Sequence, residues 1–116
     1  MLRELKKLPA AFYQSSGGKE PVKDWLRDLD EKSRRIVGRD IATVEFGGPL
    51  GMPLCRTLGG GLLEVRSNIA DGRIARVIFV VHAGRMVLLH GFIKRARKIP
   101  KPDLELARKR AKEITS

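Results

Sequence analysis

Five cationic side chains, Lys94, Arg95, Arg97, Lys98 and Lys101, fall within eight residues directly after an apolar run. Two arginines, Arg66 and Arg76, stand inside segments that are otherwise largely apolar. Groups of this kind bind phosphate: arginine's planar fork holds two phosphate oxygens at once, and lysine adds a compact point charge. His90, four residues before Lys94, brings a side chain that exchanges protons near neutral pH. The chemistry on offer is recognition of a phosphate chain with proton transfer beside it. A core or strand-pairing histidine is the competing reading of His90.

The whole chain is biased the same way. Its 116 residues carry 24 Lys and Arg against 13 Asp and Glu, a formal net charge of +11. Residues 1–50 hold 10 bases and 8 acids, whereas residues 51–116 hold 14 bases and 5 acids. Like charges crowded into the second half repel, and a polyanionic partner, nucleic acid above all, would relieve that repulsion and release counterions. The length suits a single domain over 1–116 with one core. No apolar run approaches the roughly 20 residues that cross a bilayer, and "MLRELKKLPAAF" is a poor secretory signal. One cysteine, Cys55, excludes an intrachain disulfide, and His82 and His90 lack the spacing of a zinc site. The expectation is a cytoplasmic protein with no metal and no cofactor.

The elements that must position these side chains read in a simple order. Residues 1–15 contain a weak edge strand followed by a loop, Pro9 arguing against a central position. "EPVKDWLRDL" spaces Val22, Trp25, Leu26 and Leu29 as one helical face, with Pro21 suited to the first turn. Asp30 caps a second helix, "EKSRRIVGRDIATVEF", whose stripe is Val37, Ile41 and Val44, and "GGPLGMP" ends it. Trp25 and Tyr13 read as packing residues, and "GGG" at 59–61 as a turn. Strands follow at 62–67, 73–83 and 86–94, the last two as a hairpin through "AGR". From Pro102 a final helix offers Leu104, Ala107, Ala111 and Ile114. The predicted class is α+β: two N-terminal helices packed on a twisted antiparallel sheet, with a C-terminal helix.

Residues two apart in a strand share a face. Glu64 shares one with Arg66, Arg76 with Ile74 and Ile78, and Leu88 with His90, Phe92 and Lys94. A charge in mid-strand requires a partner. Either Glu64 pairs with Arg76 or Arg66 across the sheet, or the face offers guanidinium groups to phosphates, and both can hold together.

"LGGGLLEVR" (58–66), "RIARVIFVV" (73–81) and "VLLHGFIKRARKIPKPDLELARKR" (87–110), in that order, resemble the RelE/ParE toxin superfamily, in particular its HigB-like, phage-associated branch. "GGKEPVKDWLRDL" resembles the start of the family's first helix, so the likeness runs from about residue 12 to 112. It implies a compact α+β toxin of a type II toxin–antitoxin system. The activity implied is endoribonucleolytic cutting of messenger RNA on the ribosome, held in check by a cognate antitoxin that is a helix-turn-helix protein. The family's strand arginines fall on Arg66 and Arg76, and its basic segment on Lys94, Arg95, Arg97 and Lys98. Arg73 and Lys101 join these as RNA contacts. Two family positions depart: lysines of the first strand are replaced by Leu62 and Glu64, and a tyrosine of the last helix by Leu104.

RNA cleavage without metal needs the 2′-hydroxyl deprotonated and the developing charge stabilised. Arg66 and Arg76 suit the second task, with about 2.7–4 kcal/mol at stake for each donor removed. His90, Lys94 with its proton loosened by neighbouring cations, and Glu64 are the candidate bases. Arg76→Ala is expected to abolish growth inhibition with the fold preserved. Two rival functions share the sequence features: a ParE-like inhibitor of DNA gyrase, and a non-catalytic nucleic-acid-binding module.

Overall fold

Helix formation follows the local signals. In a computed structural model, which describes residues 6–48, 54–94 and 99–115, α1 (Pro21–Asp28) begins on its proline. The α2 helix (Glu31–Gly47) begins where the Asp30 side chain accepts a hydrogen bond from Ser33 N at 3.0 Å, satisfying one of the amides a helix start leaves open. Val22 of α1 and Val37, Ile41 and Val44 of α2 are buried, so each helix turns its apolar stripe inward as its spacing requires.

Five strands form one sheet in the order β1-β5-β4-β3-β2. They are β1 (Ala10–Phe12), β2 (Cys55–Gly59), β3 (Leu62–Asn68), β4 (Ile74–His82) and β5 (Arg85–Lys94). The class is α+β, but the sheet is mixed, which corrects the antiparallel expectation: β1 runs parallel to β5 at the sheet's edge. Long-range contacts hold it there. Met86 N donates to Pro9 O at 2.9 Å, and Glu45, buried on α2, accepts from Ala10 N at 2.7 Å. An element the sequence does not announce is β2, which pairs antiparallel with β3 and ends on Gly59, the first glycine of the predicted turn.

The two faces of the sheet bury separate clusters. On one face, α1 and α2 cover Cys55, Val65, Ala75, Val77, Phe79, Met86 and Leu88. On the other, α3 (Lys101–Thr115) lays Leu104, Ala107, Ala111 and Ile114 on Leu62, Ile78, Val80, Leu89 and Phe92. Each large apolar side chain buried this way contributes about 1.5–3 kcal/mol. Gly91 of β5 lies under the Trp25 ring, where an added Cβ would come within 2.7 Å of Cδ2; only glycine allows that approach. Among the described residues no helix is long and apolar enough to cross a membrane.

A bulge in β5 decides which way the reactive residues point. Phe79 pairs with Leu88, yet the next residue back along β4, Ile78, pairs with His90, so Leu89 is an extra residue in β5. One inserted residue reverses the alternation beyond it. Leu88 therefore faces α1 and α2, while Leu89, His90, Phe92 and Lys94 face the α3 side. The expectation that Leu88 shares a face with His90 is corrected accordingly.

Candidate nucleic-acid interface

Strand register places the cationic residues side by side. Arg66 of β3 lies directly opposite Arg76 of β4, and Arg76 opposite Phe92 of β5. One row on, Arg56 of β2, Glu64, Ile78 and His90 line up across four strands. One row the other way, Ile74 pairs with Lys94. Directly paired residues share a face, so Arg56, Glu64, Arg66, Arg76, His90, Phe92 and Lys94 all stand on the side of the sheet that α3 only partly covers. Strands are about 4.8 Å apart, so the backbones at His90 and Glu64, two strands from each other, are about 10 Å apart, with buried Ile78 between them.

At the centre is a buried ion pair. Arg76 Nη1 donates to Glu64 Oε1 at 3.2 Å, and both side chains have 0% exposure. Arg66 Nε lies 3.7 Å from the same oxygen and keeps 23% of its side chain exposed. Burial raises the Glu64 carboxyl above its ordinary range, against the pull of Arg76, Arg56 and Arg66. Burial likewise lowers Arg76, against the attraction of Glu64 and with the repulsion of Arg66 and Arg56. An arginine guanidinium keeps its charge in a protein, so the single Glu64 carboxyl group faces three cations. The excess positive charge sits where Arg56 and Arg66 meet solvent.

Arg76 has no exposed surface, so it acts on this face through Glu64 and Arg66. Glu64, enclosed by its arginines, is equally out of reach of a substrate, and the ion-pair reading of the sequence describes its geometry. Lys94 ends β5 exposed to solvent. Lys101, the first residue of α3, is also exposed, with Nζ 4.0 Å from Glu105 Oε1. Arg73 stands apart from the cluster: its Nε donates to Ala70 O at 3.2 Å, and its charge acts on Asp30, the cap of α2. Arg95, Arg97 and Lys98 lie outside the described residues.

His90 is held from two sides. Its Nε2 is 2.6 Å from Asp103 Oδ1, in the first turn of α3, and its ring stacks on Phe92 with centroids 5.4 Å apart. Two members of this face escaped the sequence reading. Arg56 was hidden because the short segment "CRTL" before the glycine turn carries no strand alternation of its own. Asp103 follows Pro102 as a first-turn acid, which by itself signals only a helix start. Among the described residues no group of three His, Cys, Asp or Glu side chains is placed to hold a metal ion.

A family model described as phage derived protein Gp49-like (DUF891) matches residues 24–112, a span that contains the whole face. No curated protein matches the chain.

Proposed function

The chain belongs to the Gp49-like family of phage-derived proteins, a toxin-like family related to RelE and HigB, and on that footing we propose that it is a toxin that cuts messenger RNA on the ribosome. One observation carries the reading. Arg56 and Lys94 are exposed and Arg66 is partly exposed on a single sheet face, beside the buried Glu64–Arg76 pair and with His90 on the same face. The α+β class of the fold is also the one the RelE/ParE resemblance leads one to expect.

The roles follow from reach. Arg66 and Arg56 grip the scissile phosphate and stabilise the charge that builds on it, and Lys94 holds the neighbouring phosphate. Arg76 is a positioning residue, fixing Glu64 and through it the guanidinium of Arg66. The attacking group is the RNA's own 2′-hydroxyl, so no metal enters the step. The ribosome aligns the message, and alignment supplies much of the barrier reduction. Lys101, exposed at the start of α3, adds a further phosphate contact, and Arg95, Arg97 and Lys98 are assigned the same role from the family resemblance. A cytoplasmic cognate antitoxin of helix-turn-helix type, acidic enough to cover the cationic face, completes the system.

The test is a purified translation system programmed with a reporter message. Codon-phased cuts are expected on adding the protein, and Arg66→Ala is expected to slow cutting by about 10²–10³-fold, as for loss of one transition-state donor. An uncut message refutes the reading; if DNA gyrase is poisoned instead, the ParE-like activity takes its place.

A further inference from the structure

The contact between His90 and Asp103 does more than join a strand to a helix. Both side chains are partly open, at 17% and 21% exposure, and their polar atoms meet at 2.6 Å. A carboxylate oxygen accepts, so the proton in this contact belongs to His90 Nε2. In the neutral ring that leaves Nδ1 as a bare lone pair, and Nδ1 has no hydrogen-bond partner among the described residues. Phe92, stacked at an interplanar angle of 21°, holds the ring plane. The bulge at Leu89 turns this pair toward the face carrying Arg56 and Arg66.

We infer that His90 is the general base of this site and that Asp103 is its positioning residue. The inference rests on the nuclease reading above. Nδ1 takes the proton of the ribose 2′-hydroxyl as the 2′-oxygen bonds to phosphorus. The bond from phosphorus to the 5′-oxygen breaks, and that oxygen leaves with a proton from solvent. The products are a 2′,3′-cyclic phosphate and a 5′-hydroxyl end, and the imidazolium returns its proton to water. Asp103 keeps the tautomer that bares Nδ1 and stabilises the imidazolium formed in the step.

A purely structural role for the pair is separable, because α3 has a second clasp at its far end. There Tyr13 OH donates to Glu113 Oε1 at 2.7 Å. Tyr13→Phe loosens the helix without touching His90. The experiment joins two measurements on the full chain: nitrogen NMR of the His90 ring in the free protein, and single-turnover cutting of a ribosome-bound reporter message. The wild type is expected to show protonated Nε2 and bare Nδ1 in the neutral ring. Asp103→Asn is expected to slow cutting by about 10²-fold or more, within the range of acid–base catalysis, with ribosome affinity unchanged. Asp103→Glu restores part of the rate, and Tyr13→Phe changes neither tautomer nor rate. Protonated Nδ1 in the neutral wild-type ring, or full cutting by Asp103→Asn, overturns the inference and leaves the nuclease reading standing. A wild type with the expected tautomer that cuts nothing overturns the nuclease reading and the base assignment with it.

Discussion

Replacing Arg76 by Met tests whether the centre of the face is held together by charge. The change removes the only side chain within 3.2 Å of Glu64 Oε1 among the ion pairs described and leaves a carboxylate with 0% exposure. Breaking a buried pair from one side costs about 3–5 kcal/mol, because the remaining charge is stranded. Arg66, 3.7 Å from the same oxygen, still compensates part of it, which places the expected cost at the low end, about 3 kcal/mol. For a domain of this size that corresponds to about 10–15 °C in Tm. Glu64→Gln is expected to cost at least as much, since Arg66 and Arg76, directly opposite in register, lose their shared counter-charge. In the double variant the stranded charge disappears, so its cost is expected to fall below the sum of the singles by about 1–3 kcal/mol. Urea unfolding followed by circular dichroism measures all three. Costs that add to within about 0.5 kcal/mol would refute the coupling. The expectation that Arg76→Ala spares the fold does not survive the burial of Arg76, which is why Arg66 is the better probe of function.

Two further outcomes are expected. Gly91→Ala drives a methyl into the Trp25 ring and is expected to cost about 1–3 kcal/mol by overpacking; the protein's sole tryptophan makes its fluorescence a direct reporter, and an unchanged urea midpoint would show that the ring moves freely. The bond to Glu113, with burial second, raises the Tyr13 hydroxyl above its ordinary range. A folded-state pKa above the unfolded one means that this contribution to stability is complete below the ordinary tyrosine range and is lost as pH rises through the raised value. Tyrosinate absorbance reads this single tyrosine, and a native midpoint at or below that in urea would refute it.

Periodicity was a good guide wherever one element decided the outcome. The stripes of α1, α2 and α3 and the long strands β3, β4 and β5 follow from spacing alone, because each must bury one face. Failures came where partners far apart in the chain decide. The direction of β1 depends on Glu45 and Met86, both more than 30 residues away. The β2 strand is short and buries only Cys55 fully, and its pairing with β3 overrides its glycine-rich end. The bulge leaves no mark in composition: Leu88 and Leu89 are both leucines, and only the paired strand shows that they point in opposite directions. Arg66, Arg76 and Lys94 could be named from the sequence, but the place of Arg56 on this face, the burial of Arg76, the separateness of Arg73 and the meeting of His90 with Asp103 are properties of the assembled sheet.

A cluster of three guanidinium groups around one carboxylate is short of negative charge even when folding is complete. An anion that settles on Arg56 and Arg66 therefore acts as a missing structural component as well as a ligand, and its binding energy is added to the resistance of the whole domain to heat. The choice of buffer salt becomes part of the molecule's chemistry: phosphate or sulfate, present through purification, would make the empty protein look sturdier than it is.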